Sequence, residues 1–288
     1  MNKYAVAPLS ISIIPHKHIK KTRSGKIKIA AESKGGLAIK LTIFVLLGLC
    51  VYGFWSFDYK NIDFAKAVFA TLENAKVVFV EPKLSYNTVS GVLHAMLTTF
   101  SLGVLSTLFG AIIAIFGALL CAKNISNPVV SNIIKSLVAF IRAFPTILWV
   151  LIFTVAAGLG SVAAVVGLTF HNAGYLIKAY AESIETMDNG TIEALKASGA
   201  GYWQIVFQAI LPSSVGYMVA WTFLRFEINF VNAIAVGAAA GAGGIGVDMF
   251  MAGNFYFDLG ELGFLTYLVV GSVILLEAAA TKVKEKVK

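Results

Sequence analysis

The sequence predicts an all-α integral membrane protein, a bundle of six transmembrane helices. Hydrophobic residues make up 58% of the chain and charged residues 13%, and the mean hydropathy of +0.81 lies outside the range of a soluble globular domain. Several apolar runs reach the roughly 20 residues that a helix needs to cross a bilayer. They are too long and continuous for barrel strands, so helices are the remaining way to satisfy the backbone in lipid.

The apolar runs place the six predicted helices along the chain. The spans lie near 37–57, 88–120, 132–157, 161–181, 214–236 and 262–281. The second run is longer than a perpendicular helix requires, so this helix is expected to tilt or to project from the bilayer. The boundary between the third and fourth spans is the least distinct of the set.

Basic residues gather at the two ends of the chain. Eight lysines and Arg23 occur in the first 40 residues against one acid, Glu32, and the last seven residues contain four lysines. No Lys or Arg occurs between Arg225 and Lys282. The positive-inside rule therefore predicts cytoplasmic N- and C-termini, which requires an even number of spans. Topology and anionic lipid account for the net charge of +8, so nucleic acid is not an expected partner.

These features predict three regions. Residues 1–36 form a basic cytoplasmic arm, 37–87 a first transmembrane helix with an extracytoplasmic connection, and 88–288 the membrane core. A polar cytoplasmic loop at 183–213 interrupts the core. Its acids outnumber its single lysine, Lys196, whereas a helix lying on anionic lipid would present Lys and Arg. A protein partner is therefore favoured over a lipid surface for this loop.

The loop is expected to contain two helices. Asp188 or Asn189 can cap a helix that begins near Thr191, and Gly199 would interrupt it. A second helix follows and is expected to end at Pro212. It would present one apolar face, formed by Tyr202, Ile205, Val206 and Ala209.

The fifth span carries polar residues in an otherwise apolar helix, where charged side chains cost at least about 2.5 kcal/mol. At 100° per residue, one narrow arc of this helix contains Thr222, Arg225, Asn229 and Asn232. Glu227 lies about 200° from Arg225 and is expected to face another helix. The arc either lines a translocation pathway or supplies hydrogen bonds between helices. For the asparagines both interpretations stay open, while Arg225 is assigned to the pathway.

Two further segments are predicted to matter. Pro145 would kink the third span, and Arg142 would anchor it at the cytoplasmic headgroups or pair with an acid. Residues 237–246 contain a literal Gly-x-Gly-x-x-Gly, but no strand precedes it, so a dinucleotide site is not expected. The segment predicts a compact turn at the non-cytoplasmic mouth and part of an outer gate, formed by Gly241, Gly243, Gly244 and Gly246.

The sequence does not predict an enzyme. No segment matches the phosphate-binding loop Gly-x-x-x-x-Gly-Lys-Ser/Thr, and no Ser/His/Asp or His/Cys cluster occurs. Cys50 and Cys121 form no zinc or redox pattern. We therefore expect no catalytic residue, no metal site and no cofactor in the chain itself.

The cytoplasmic loop resembles the "EAA" coupling loop of ABC-importer permeases. That pattern has Glu-Ala-Ala, three residues, Gly, nine residues, Ile, any residue and Leu-Pro. Five residues fall in register with this pattern: Glu193, Ala194, Gly199, Leu211 and Pro212. Ala200 is assigned to the same loop. Leu195 replaces the second Ala, and Ala209 stands where Ile is usual.

From about Val89 onward, the order of motifs resembles phosphonate-type importer permeases, the PhnE family within the MetI-like superfamily. The matching strings are Arg142-Ala143-Phe144-Pro145, Ala181-Glu182-Ser183-Ile184-Glu185, Leu224-Arg225-Phe226-Glu227-Ile228-Asn229 and Gly241-Ala242-Gly243-Gly244-Ile245-Gly246. The last two strings are specific to that branch. The resemblance implies a type I, MetI-like permease in a bacterial plasma (inner) membrane.

By this resemblance the chain imports a phosphonate, phosphite or phosphate-like oxyanion. It would pair with a second permease subunit, identical or related, and receive its cargo from an extracytoplasmic binding protein. A cytoplasmic ABC ATPase dimer would dock on the coupling loops and bind ATP and Mg²⁺. The alternatives are an ABC permease for another small solute such as an amino acid, and an ion-coupled secondary transporter with Glu227 as its proton-coupled carboxylate.

Overall fold

The computed structural model describes residues 20–21, 27–28, 34–57 and 62–287, and the chain divides into two compact units, Met1–Ala67 and Val68–Lys288. In the first unit, the two-residue strands β1 (Lys20–Lys21) and β2 (Ile27–Lys28) pair antiparallel. Helix α1 (Lys34–Ser56) follows and contains all but the last residue of the first predicted span. Most of the predicted basic arm lies outside the described residues.

The second unit is helical throughout its described part. Helix α2 (Phe64–Val80) begins just before the division. The remaining helices are α3 (Val89–Cys121), α4 (Pro128–Ala143), α5 (Thr146–Ala157), α6 (Ser161–Glu185), α7 (Asn189–Ala197), α8 (Tyr202–Ile205), α9 (Leu211–Ala240), α10 (Ile245–Asn254) and α11 (Leu259–Val287). Helices α2 and α10 were not among the sequence predictions. The predicted all-α class is confirmed.

Within the described residues, four helices are long and apolar enough to cross a membrane: Gly36–Ser56, Val89–Cys121, Tyr202–Ala240 and Leu259–Lys282. The pair α4 and α5 makes a fifth if it counts as one broken span. The predicted fourth span at 161–181 is part of α6 but does not reach the same apolarity. Most of α6 is buried by other helices, so it can carry polar residues that a lipid-facing helix avoids. The count of six spans stays a prediction.

The predicted third span, 132–157, is wrong as a single helix. Helices α4 and α5 meet at 91°. Pro145 lacks an N–H to continue α4 and disfavours helical geometry at Phe144, whose ψ is 136°. Trp149 Nε1 closes the corner by donating to the Ile141 carbonyl over 2.9 Å. The kink predicted from Pro145 is therefore a complete break.

Helix α6 lies at the centre of the second unit and packs on α3, α4, α5 and α9. These contacts are close because glycines face larger side chains. A Cβ on Gly110 would lie 2.4 Å from Asn172 Nδ2, and one on Gly117 would lie 2.6 Å from Ile177 Cγ1. The backbones of α3 and α6 therefore approach as closely as small residues allow.

One continuous helix of 39 residues, Tyr202–Ala240, joins α8 to α9 through a π-helical turn at Val206–Ile210. The expected end of this helix at Pro212 is therefore wrong. Pro212 lies in the first turn of α9, directly after the wider turn, in which the Leu211 N–H bonds the Val206 carbonyl. Local π adjustment is one way in which a helix accommodates a residue that lacks an N–H.

The predicted glycine turn is confirmed as a compact bend between α9 and α10. Gly241 ends α9 in the left-handed conformation with φ 60°, and Gly243 and Gly244 have φ values of 80° and 82°. The Ile245 N–H then donates to Thr99 Oγ1 over 2.9 Å and fixes the start of α10 against α3. Gly246 packs so closely on α9 that a Cβ would lie 1.8 Å from the Ile234 carbonyl oxygen.

We expect Gly246→Ala to destabilise the protein, because the atom in its way is backbone and cannot rotate aside. The loss of unfolding free energy should be about 1–3 kcal/mol or more. Thermal unfolding of the detergent-purified protein measures it. Gly271→Ala in α11 is the matched control, since nothing lies within 4 Å of its added Cβ. Equal midpoints for the two variants would contradict this packing.

Candidate functional site

The predicted coupling loop contains a well-capped helix, α7. Asp188 is its N-cap and accepts from the Gly190 N–H over 3.2 Å, as the sequence predicts. At the other end, Gly199 has φ 85°, its N–H bonds the Lys196 carbonyl, and the Ala200 N–H bonds the Leu195 carbonyl. These two bonds make a Schellman motif, which requires a left-handed residue at Gly199. The predicted glycine interruption is confirmed.

One face of α7 is fixed to the bundle and the other is open. Ile192 is buried and Leu195 packs against the same core cluster. The exposed residues on this side of the loop are Glu193, Ala194, Lys196, Ala197, Gly199 and Pro212, while the predicted loop residues Ala200 and Leu211 are partly buried. Of the apolar face predicted for the second helix, Ile205, Val206 and Ala209 are buried, whereas Tyr202 is exposed beside Trp203 and Phe207. A surface of small and aromatic side chains results.

Ionic and amide contacts hold the end of α6 from which this loop starts. Glu185 accepts from Lys135 Nζ on α4 and from the Lys123 N–H after α3, each over 2.8 Å. Asn124 Nδ2 donates to the Ile184 carbonyl over 2.8 Å. Burial alone would raise the pKa of the Glu185 carboxyl, but the Lys135 and Lys123 bonds together lower it below its ordinary 4.5. The ends of α3 and α6 and the middle of α4 therefore form one platform next to α7.

Three of the four residues in the polar arc predicted on α9 contact other helices of the same chain. Thr222 hydrogen-bonds the Tyr180 hydroxyl on α6, and Asn229 Nδ2 donates to Thr107 Oγ1 on α3 over 2.9 Å. For these two residues the structure favours the interpretation as bonds between helices. Asn232 and Glu227 are partly exposed and have no hydrogen bond or ion pair within the part of the chain that the structure describes. Glu227 lies apart from Arg225, as its angular position predicts.

Arg225 is 7% exposed and contacts two residues of α6. Its Nε donates to Asn172 Oδ1 over 2.9 Å, and its guanidinium carbon lies 4.4 Å from the centre of the Tyr175 ring. The guanidinium carbon of Arg142, at the end of α4, lies at the same 4.4 Å from that ring. The two cations are therefore at most twice this distance apart, which implies a repulsion of about 2 kcal/mol or more at an effective dielectric constant near 20.

Neither cation of this arginine pair, Arg142 and Arg225, has a carboxylate partner among the described residues. Arg142 Nε and Arg225 Nη2 are buried without a hydrogen bond, and so is Nδ1 of His171, whose ring contacts Tyr175. The pairing of Arg142 with an acid is thus not found in the described part. Its role as a headgroup anchor stays untested.

Sequence reasoning missed the residues of α6 that organise this region. Asn172 holds Arg225, and Tyr175 contacts both arginines. A signal was present, because His171, Asn172 and Tyr175 are polar or amphipathic residues within one turn of an apolar run. The described part of the chain holds no cluster of three or more potential metal ligands.

The sequence profile described as "Binding-protein-dependent transport system inner membrane component" matches residues 106–281, more than half of the chain. The chain belongs to this family. It is therefore the inner membrane component, or permease, of a binding-protein-dependent transport system. Its multi-pass membrane character follows from the family and from the apolar helices.

Two similar proteins are named as permeases for phosphate and for phosphite. The permease is 31% identical over 153 residues to the phosphate-import permease protein PhnE of Mycolicibacterium smegmatis, covering 53% of this chain and 29% of the relative. It is 28% identical over 185 residues to the phosphite transport system permease protein PtxC of Stutzerimonas stutzeri, covering 64% of each. The permease thus spans less than two thirds of the length of both.

A solved structure shares the fold. The inward-facing MetNI methionine ABC transporter aligns with a TM-score of 0.64 and 22% identity, over 71% of this chain and 100% of that one. This likeness confirms the MetI-like fold predicted from the sequence. The roles assigned to individual coupling, pathway and gate residues stay predictions.

Glu185→Gln should destabilise the permease at neutral pH by about 1 kcal/mol, since it removes the partly screened ion pair with Lys135 and weakens the bond from the Lys123 N–H by taking away the acceptor's charge. The folded-state pKa of Glu185 is lowered, so its stabilisation is complete above 4.5 and is lost as the pH falls through the lower folded-state value. Thermal midpoints of wild type and variant should therefore differ at pH 7 and converge under acid conditions.

Glu182→Gln is the matched control for this measurement. Glu182 lies on the same helix and pairs with Lys178 over 3.4 Å, but both side chains are more than half exposed. Its removal should shift the midpoint little. A Glu185→Gln midpoint that equals wild type at pH 7 would show that the platform does not depend on this carboxylate.

Proposed function

We propose that the chain is the permease of an ATP-driven importer for a phosphorus oxyanion, a phosphonate, phosphite or phosphate. In this proposal it lies in a bacterial inner membrane with both termini in the cytoplasm. An ABC ATPase dimer, which binds ATP and Mg²⁺, docks on the 183–213 loops of two permease subunits. An extracytoplasmic binding protein delivers the anion at the opposite side.

One observation carries the choice of an anion. Arg225 is buried in the middle of α9, and no carboxylate neutralises it within the described residues. A buried charge that lacks a counterion is costly, so a function that uses its positive potential explains its presence. The similarity to a phosphate-import permease and to a phosphite transport permease supports the same class of cargo.

Coupling between the two sides would run through the helix Tyr202–Ala240. This helix begins beside the exposed surface of α7 and α8, contains Arg225, and ends at the glycine turn. An ATPase that moved the α7–α8 surface would therefore displace a helix that also borders the anion path. An element that responds to both sites in this way is what coupling requires.

The partly exposed side of α9 suits a pathway shared with a second permease subunit. Glu227 and Asn232 lie there without partners among the described residues, and Ile228 and Val231 are exposed beside them. The second subunit would cover this side. Gly241, Gly243, Gly244 and Gly246 would then border the outer mouth as a gate.

Family membership argues against an ion-coupled secondary transporter, and an amino acid is the alternative cargo. The uptake experiment uses proteoliposomes with the full assembly of permease, ATPase and binding protein. We expect ATP-dependent uptake of phosphite, methylphosphonate or phosphate that excess L-methionine does not inhibit. Uptake should persist when a protonophore collapses the proton gradient. ATP-dependent uptake of L-methionine with none of the three oxyanions would overturn the proposed cargo.

Ala194→Arg should abolish co-purification of the ATPase, because it adds a bulky cation to the exposed face of α7 without altering the helix backbone. Uptake should fall at least tenfold while the melting temperature of the isolated permease stays within a few degrees of wild type. Thr281→Arg, which adds the same group to an exposed site near the end of α11, is the control. Wild-type ATPase recovery with Ala194→Arg would mean that the partner docks elsewhere.

A further inference from the structure

The arginines of this permease have an unusual distribution. The chain has 23 basic residues, of which 20 are lysines and three are arginines, Arg23, Arg142 and Arg225. Lysine serves at both charged termini. Two of the three arginines contact the same aromatic ring, from helices that are more than 80 residues apart in sequence. Arg differs from Lys in its planar fork of donors, which stacks on aromatic rings and binds phosphate-type oxygens in pairs.

We propose that Arg142, Tyr175 and Arg225 form an oxyanion-binding site inside the permease, with His171 at its edge. The ligand is one tetrahedral phosphorus oxyanion that accepts hydrogen bonds from both guanidinium groups. This inference rests on the proposed function and deepens it, since it places a binding site for the cargo within the membrane subunit as well as in the binding protein.

The unpaired donors support a ligand more than a purely structural stack. Arg142 Nε and Arg225 Nη2 are buried without partners, and so is His171 Nδ1 at the edge of the site. Asn172 beside them is paired, because its Oδ1 accepts from Arg225 Nε while its Nδ2 points to the Ser106 carbonyl, 3.4 Å away. Asn172 thereby orients the guanidinium group and leaves its outer nitrogens available. An anion held by charge-assisted bonds would satisfy both arginines and cancel their mutual repulsion.

A cavity borders one member of the site, Arg142. A space of about 320 Å³ borders Arg142 and extends toward Lys135, Lys178, Glu182 and Glu185 at the coupling-loop end of α6. The two carboxylates in its wall are each paired with a lysine, Glu185 with Lys135 over 2.8 Å and Glu182 with Lys178 over 3.4 Å. Arg142 is the unpaired charge of this wall, so an anion in the cavity is attracted to Arg142.

An anion site and a purely structural stack predict opposite effects of removing Arg142 on the stability of the empty protein. If the arginines only hold helices together, removing either one lowers stability. If they await an anion, Arg142→Gln relieves repulsion in the empty protein and should leave its melting temperature equal to or above that of wild type. The same variant should lose the stabilisation that a bound oxyanion confers.

The test follows the melting temperature of the purified permease–ATPase assembly without binding protein, during titration with phosphite and with methylphosphonate. Wild type should be stabilised in a saturable manner. Arg142→Gln and Arg225→Lys should raise the half-maximal concentration at least tenfold, and uptake by the full assembly should show a KM raised to a similar extent. The ATPase subunits are the same in every sample, so anion binding to them contributes equally.

Lys76→Gln is the matched control. It removes one positive charge from α2, where the lysine pairs with Glu81 over 2.8 Å and lies outside the cavity lining. Its oxyanion response should equal that of wild type. Phosphatidylglycerol, added in place of the free anion, tests a lipid phosphate as the source, and stabilisation by lipid but not by phosphite would overturn a site for a solute.

The outcomes separate this site from the proposed function. Absence of oxyanion uptake by the wild-type assembly would refute the proposed cargo. If wild type takes up the oxyanion and both arginine variants match wild type in melting response and KM, the binding site is refuted and the proposed cargo is not. A lower melting temperature of anion-free Arg142→Gln, with an unchanged oxyanion response, would assign the arginines to packing.

Discussion

Polar groups inside a lipid-facing bundle must find their partners on other helices, and α6 supplies most of these partners in the permease. Its side chains bond Thr222 and Arg225 on α9, contact Arg142 on α4, and pair with Lys135 at the coupling-loop end. Glycines on α3 let its backbone come close enough to complete the packing. Because water is absent from the bilayer core, a polar group that loses one of these contacts finds no other hydrogen-bond partner. The positions of α3, α4 and α9 relative to one another therefore depend on one central helix.

The elements that could be predicted from the sequence are those whose signal is local. Long apolar runs located α1, α3, α9 and α11, and Asp188, Gly199 and the glycine turn marked helix ends where the structure has them. The break at Pro145 was underestimated, because a proline signals a disturbance but the 91° angle depends on what the two halves pack against. The continuous helix through Pro212 was not predicted, because proline usually ends a helix. Here a π-helical turn directly before Pro212 accommodates it, and the helix continues.

The candidate site shows the same limit. Helical periodicity placed Thr222, Arg225 and Asn229 on one arc, and all three do face helices α3 or α6. Periodicity on a single helix cannot identify the opposite side of a contact, so Asn172 and Tyr175 went unrecognised. Arg142 was assigned to the headgroups because topology alone predicts a basic residue there. Its guanidinium group also contacts a ring on α6, a contact between segments 33 residues apart that only the tertiary structure determines.

The π-helical turn at Val206–Ile210 is equivalent to one residue inserted into an otherwise regular helix. Each residue of an α-helix turns the chain by about 100°, so the insertion decides the direction in which Trp203 points relative to Arg225. Deleting one residue here would leave a regular α-helix in which the part before the turn is rotated relative to the part after it. Selection on the permease should therefore act on the length of the chain between Gly199 and Arg225 as strictly as on its composition, and natural insertions or deletions should be rarer in this stretch than in helices of equal burial.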